Sequence, residues 1–191
     1  VALVGVTRDE LGGSHLALVR GLTGGHVPQV DAQLAPRIFR AVHQAISAGA
    51  VRSCHDLSEG GLAVAAAEMA FAGGLGMDLD LKPLATQAGL TSDPVLLFSE
   101  SNTRFLVEVS PAQWTRFQAS LTGLPMVELG KIVAGSRLVV RGIAGDVVID
   151  AGGTLAAPGL IDSHVHITFG DYTPRQRTVG FLESYLHGGV T

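Results

Sequence analysis

The sequence predicts an α/β (α+β) chain whose strands and helices are mixed along its length. Of its 191 residues, 47% are hydrophobic and only 16% charged. Alanine and glycine supply much of that apolar share, a composition of closely packed helices and sheet. Short β-rich runs alternate with stretches of helical period. Near residues 135–146 the texture changes to short strands broken by glycine pairs. One domain over 1–135, followed by an incomplete segment over 136–191, is therefore expected.

Val1-Ala2-Leu3-Val4-Gly5-Val6 reads as a buried strand and Glu10-Leu11-Gly12-Gly13-Ser14 as a polar turn. After a loop over 21–28, a helix is predicted from about Asp31. Its Ile38, Val42 and Ala45/Ile46 share a face, and Gly49 closes it. Residues 51–55 read as a strand, 56–61 as a turn, and Leu62–Phe71 as an alanine-rich helix. Met77, Leu79 and Leu81 alternate with Asp78 and Asp80, the period of a half-buried strand. Strands are expected at Val95–Ser99, Phe105–Val109 and Val127–Val133. Between the last two, Ser110-Pro111 opens a helix that runs through Trp114 and Phe117. Further on, Arg137–Arg141 and Val147–Asp150 read as strands, and 178–187 as a helix.

Bulk properties narrow the function classes. A net charge of −4 with no Lys/Arg run argues against a nucleic-acid partner. Glycine-broken apolar stretches fall short of the roughly 18–20 residues that a membrane helix needs. The single cysteine, Cys54, rules out an internal disulfide and reads as a buried small residue. Nothing at the start resembles a secretion leader, so a reducing cytoplasm is the expected location.

Two strings carry chemistry in the first segment. Gly12, Gly13 and Ser14 form one glycine-rich bend, and Ser58, Gly60 and Gly61 form a second that leads into a helix. Backbone amides without side chains in the way, at a helix N-terminus, suit a phosphate. A plain strand-to-helix connection explains the same residues. His55 and Asp56 are neighbours in a strand end and so point apart, which disfavours a His–Asp dyad. A structural histidine, and Asp56 as a cap for the next helix or its preceding turn, are the simpler readings. Glu100 and Arg104 sit close in sequence, either as a surface ion pair or as ligand contacts; Glu10 opens the first bend.

In the order ELGGS, HDLSEGGLAVAAAEMA, LFSESNTRFLVEV, these strings resemble the synthetase subunit of phosphoribosylformylglycinamidine synthase. The match is to its C-terminal domain, of AIR-synthase type, over about 1–133. The resemblance implies an ATP-dependent reaction with Mg²⁺, in which the formamide oxygen of formylglycinamide ribonucleotide is phosphorylated. Ammonia from a glutaminase subunit then displaces phosphate to give the amidine. It also implies that Gly12, Gly13, Ser14, Ser58, Gly60 and Gly61 line a cleft for a nucleotide or ribonucleotide phosphate. Glu10, His55, Asp56, Glu100 and Arg104 would stand behind them. The N-terminal synthetase domains that carry the catalytic histidine and most Mg²⁺ carboxylates have no counterpart here, so activity from this chain alone is not expected.

The second segment holds Pro158-Gly159-Leu160-Ile161-Asp162-Ser163-His164-Val165-His166. On a strand His164 and His166 point to one side, with Cα atoms about 6.5–7 Å apart, and two neutral imidazoles can share a divalent metal. Over about 147–191 the string resembles the start of an amidohydrolase of the enamidase or dihydroorotase-like branch. That resemblance implies Zn²⁺ or a similar metal and hydrolysis of a cyclic amide. Its (β/α)₈ barrel needs about 250 residues, so this metal site would be incomplete. Two partial families in one chain point to a fusion, a truncation or a fragment, with a noncatalytic product as a further alternative.

Overall fold

The apolar run that opens the chain becomes the middle of a sheet. In the computed structural model, which describes residues 1–150, β1 (Ala2–Val4) is followed by α1 (His15–Arg20), α2 (Ala35–Ser47), β2 (Ser53–Asp56) and α3 (Gly61–Ala72). Next come β3 (Gly76–Asp80), α4 (Lys82–Ala88), α5 (Asp93–Phe98) and β4 (Phe105–Glu108). A 3-10 turn, Pro111–Gln113, leads into α6 (Trp114–Ser120). The described elements finish with β5 (Met126–Glu128), β6 (Gly130–Val133), β7 (Arg137–Arg141) and β8 (Asp146–Asp150). The helix predicted over 178–187 lies outside the described residues.

One sheet runs in the order β2-β4-β1-β5 with antiparallel neighbours. The other runs β6-β3-β7-β8, antiparallel except for the β3–β7 pair. Strand alternation splits the core in two. Ala2, Val4 and Val107 face α2 and α6, where Ile38, Val42, Ala45 and Phe117 are buried. Leu3 and Leu106 face the other way, toward α3 and the inner residues of the second sheet, Met77, Leu79 and Leu138. Packed between apolar layers, α3 is made of alanine and other apolar residues on nearly every side.

The helix expected from Asp31 begins at Ala35, because the Asp31 carboxylate accepts from the amides of Gln33 and Leu34, both at 2.9 Å. Those bonds hold its pKa below the usual carboxylate value. Ala45 reaches the core as predicted, whereas Ile46 turns outward.

Residues 95–99 correct the sequence reading. Expected as a strand, most of this run forms α5, with Val95, Leu96 and Leu97 buried. A short apolar run does not distinguish the two states; Asp93-Pro94 at its head is a helix start. The segment 127–133 is also two strands rather than one. β5 belongs to the first sheet and β6 to the second, and the chain crosses at Leu129-Gly130. A Cβ on Gly130 would collide with the Asp78 carbonyl oxygen, so the crossing requires glycine.

The Asp93 carboxylate also accepts from the amides of Ile143 and Ala144, at 2.7 and 2.9 Å, and so holds the turn between β7 and β8. Bonds to a charged acceptor contribute about 1.5–3 kcal/mol each in favourable settings. Asp93→Ala should lower urea stability by about 2 kcal/mol and speed amide exchange at Ile143; an unchanged denaturation midpoint would refute the clamp.

Candidate functional site

The site grows from a buried cation. Arg104, just before β4, is 1% exposed. Its Nε donates to Ser101 O at 2.9 Å, Nη1 to the Thr7 hydroxyl at 3.0 Å, and Nη2 to Ser99 O. Burial lowers its pKa to about 10, while Glu10 and Glu100 pull the other way, so it is charged at neutral pH. Ser99 and Ser101 extend the link: the Ser99 hydroxyl donates to Arg8 O at 2.7 Å, and Ser101 Oγ accepts from Arg8 N at 3.0 Å. Arg104 is therefore neither a surface ion pair nor placed to meet a ligand. It fastens residues 99–101 to residues 7–8.

That fastening presents Glu100 to both glycine bends. Its Oε1 accepts from the amides of Gly60 and His15, each at 2.9 Å. The His15 ring lies between two carboxylates, with Nδ1 3.3 Å from Glu100 Oε1 and Nε2 3.7 Å from Glu59 Oε2. The two bends thus meet at one carboxylate of the chain itself.

Their glycines are explained largely by packing. A Cβ on Gly61 would stand 2.5 Å from Ser99 O and 2.8 Å from Leu97 O. One on Gly12 would stand 2.7 Å from Gly25 O, and the Gly12 amide already donates to His26 O. Gly13 faces open space on its Cβ side. The Ser14 hydroxyl caps α1: it accepts from Ala17 N at 3.2 Å and donates to Leu11 O at 2.8 Å. Ser58 is exposed at the rim.

His55 plays a structural part. Its Nδ1 donates to Asp56 O at 2.6 Å, and Nε2 lies 2.9 Å from Glu68 Oε2, which ties β2 to α3. Asp56 does not cap α3, whose N-cap is Gly60 with no side-chain bond; the Asp56 carboxylate is exposed. Glu10 is buried, with Oε1 accepting from Gln29 N at 3.0 Å and Oε2 lacking a partner. Burial pushes the Cys54 thiol up to about 11, assisted by Asp56. His164 and His166 lie outside the described residues. Among the described residues no group of three or more His, Cys, Asp or Glu could hold a metal ion. No helix among them is long and apolar enough to cross a membrane.

Sequence reading missed His15 and the strap over 25–29. The signals were present: His15 directly follows the first bend, and Gly24-Gly25, both at positive φ, marks a turn that brings Gly25 against Gly12.

A family model described as AIR synthase related protein, C-terminal domain, matches residues 1–143. The chain belongs to this family. It is 38% identical over 152 residues to phosphoribosylformylglycinamidine synthase subunit PurL of Alkaliphilus metalliredigens, covering 78% of this chain and 20% of that protein. The Moorella thermoacetica subunit is 44% identical over 142 residues, covering 73% and 18%. The chain therefore spans about a fifth of the length of these relatives. Among solved structures, Thermotoga maritima PurL complexed with FGAR superposes with a TM-score of 0.65 at 20% identity, covering 97% of this chain and 33% of that one. The hydrogenase maturation protein HypE gives 0.51 at 16%, covering 81% and 54%. These likenesses show that the AIR-synthase-type C-terminal fold is shared.

Removing the Glu100 carboxylate strands two amides. Glu100→Ala should cost about 2–3 kcal/mol in urea denaturation and speed amide exchange at Gly60 and His15 together; exchange rising at one site alone would contradict a shared acceptor. With its pKa near 11, Cys54 carries little thiolate at pH 8 and gains it only as pH rises. Its reaction with a disulfide reagent at pH 8 should run about 100-fold slower than that of a free thiol; an equal rate would refute the burial effect.

Proposed function

We propose that the chain is the C-terminal AIR-synthase-type domain of a formylglycinamide ribonucleotide amidotransferase of purine biosynthesis, working in the cytoplasm. The supporting observation is the identity of 37–44% to synthetase subunits over most of the described residues. When bound, ATP with Mg²⁺ would supply the phosphoryl group that makes the formamide oxygen a leaving group, so that ammonia from a glutaminase subunit could attack the carbon and release phosphate. Such chemistry depends chiefly on positioning and charge stabilisation, which fits a lobe with pre-shaped bends.

This chain's own part is to hold a phosphate-bearing ligand at the rim of the two bends. Gly13, open to solvent, and the exposed Ser58 hydroxyl are the groups we assign to that contact. Gly12, Gly60, Gly61 and Ser14 keep the bends in shape, and Glu10, Glu100, Arg104, His55 and Asp56 stand behind them. The amides of Gly60 and His15 are satisfied by Glu100, so a phosphate would meet the outer edge of the bends. The N-terminal synthetase domains would supply the reacting centre and the remaining Mg²⁺ carboxylates.

A second segment is read from the PGLIDSHVH string as the opening of an amidohydrolase. His164 and His166 would be the first two ligands of its divalent metal. We place the β7–β8 hairpin with the first domain, since β7 pairs with β3.

Grafting residues 1–150 in place of the matching domain of the Alkaliphilus subunit should restore growth without purines to a strain lacking its own synthetase. The 191-residue chain alone should hydrolyse no ATP. A folded, soluble chimera without synthetase activity, or turnover by the chain alone, would overturn the assignment.

A further inference from the structure

A side-chain pair spans the base of the second bend. His55 lies in β2, ahead of Gly60 and Gly61, and Glu68 lies in α3, about two turns beyond them. In the strand register His55 is paired with Leu106 of β4, on the face of the sheet turned toward α3. Both ring nitrogens meet oxygens: Nδ1 is 2.6 Å from the Asp56 carbonyl oxygen, and Nε2 is 2.9 Å from Glu68 Oε2. A carbonyl oxygen and an ionised carboxylate can only accept. Two bonds of these lengths therefore require a proton on each nitrogen, which is the imidazolium form. Two charged groups face that ring. Glu68 comes from α3, and the Asp56 carboxylate comes from β2, with Oδ1 3.8 Å from Nδ1. Leu106, the neighbour on β4, carries no charge. The His55 and Glu68 side chains are 32% and 30% exposed, so water reaches the pair and can exchange its proton.

We propose that His55 and Glu68 form a proton-operated tie, which fastens α3 to β2 beneath the second bend while both ring nitrogens are protonated and opens when one proton is lost. That proton leaves to water, and one nitrogen then turns a lone pair toward an oxygen. Nδ1 keeps its proton for the shorter bond, so the lone pair falls on Nε2 and faces the Glu68 carboxylate. Attraction gives way to repulsion between two acceptors, and Glu68 swings into solvent. The folded chain holds the protonated ring with carboxylates. The contribution of the tie is therefore present at acidic pH, while Glu68 stays ionised, and is lost as pH rises through the histidine range. The tie lies under the bend whatever binds at the rim, and so stands apart from the synthetase assignment.

The test is nuclear magnetic resonance of the 191-residue chain between pH 5.5 and 8.5. Ring nitrogen shifts count the protons on His55, and amide exchange, corrected for its intrinsic pH dependence, reads the hold on α3. Both nitrogens should be protonated at pH 5.5, and Nε2 should have lost its proton at pH 8.5. Protection of the Glu68 and Met69 amides should fall about threefold over the same step, the scale of a partly exposed ion pair. Glu68→Gln should flatten that profile, because its amide group can accept from Nε2–H or donate to the bare nitrogen. The His15 ring also lies near this bend, against Glu59; His55→Gln, in which the step should vanish, separates the two. If neither variant folds, the ring shifts and protection of the parent decide the matter. Protection in the parent that ignores pH, a step retained in either folded variant, or a bare ring nitrogen at pH 5.5, the mark of a proton held by Glu68 instead, would each overturn the proposal.

Discussion

A guanidinium withdrawn from water needs an acceptor in every direction it can donate, and that demand organises the middle of this domain. Arg104 draws in the carbonyls of Ser99 and Ser101 and the hydroxyl of Thr7, groups that meet where the end of β1 lies beside the start of β4. Two carboxylates, Glu10 and Glu100, lie near enough to favour the charge without touching it. The pattern is that of a buried ion made tolerable by a hydrogen bond from each of its three nitrogens. Where this cation places the 99–101 turn decides where Glu100 meets the two bends.

The bends show how an anion-binding motif can be turned inward. Amides at the start of a helix attract negative charge whatever its source. Here the charge is Glu100, delivered by a turn 40 residues beyond Gly60 and 85 beyond His15. Glycine in such a bend reports that no Cβ fits, without saying what comes close. At Gly61 and Gly12 the approaching groups are backbone carbonyls of the same chain.

Elements with a clear period were legible from the residues. β3 followed from the alternation of Met77, Leu79 and Leu81 with aspartates, and α2 from the spacing of Ile38, Val42 and Ala45. Val95–Leu97 misled because a run of apolar residues has no period to read, and its helical state rests on Asp93-Pro94. The break within 127–133 was hidden for a different reason: it depends on which sheet each half joins, a property of partners far away in sequence. The site followed the same division. Its glycines and carboxylates were visible, but the bond from Arg104 to Thr7, across 97 residues, and the meeting of both bends at one oxygen belong to the tertiary structure.

The order of strands has a consequence for biosynthesis. β1, near the start of the described chain, is central to its sheet, yet its neighbours β4 and β5 lie more than a hundred residues later. Loop closure over such distances is slow and cannot begin until the late strands exist. As the polypeptide leaves the ribosome, Ala2, Leu3 and Val4 must wait, apolar and unpaired, until residues 105–107 have emerged, and they gain their second neighbour only after residue 128. This domain therefore acquires its first sheet near the end of its own translation, and an interrupted message would release a chain with that sheet unformed.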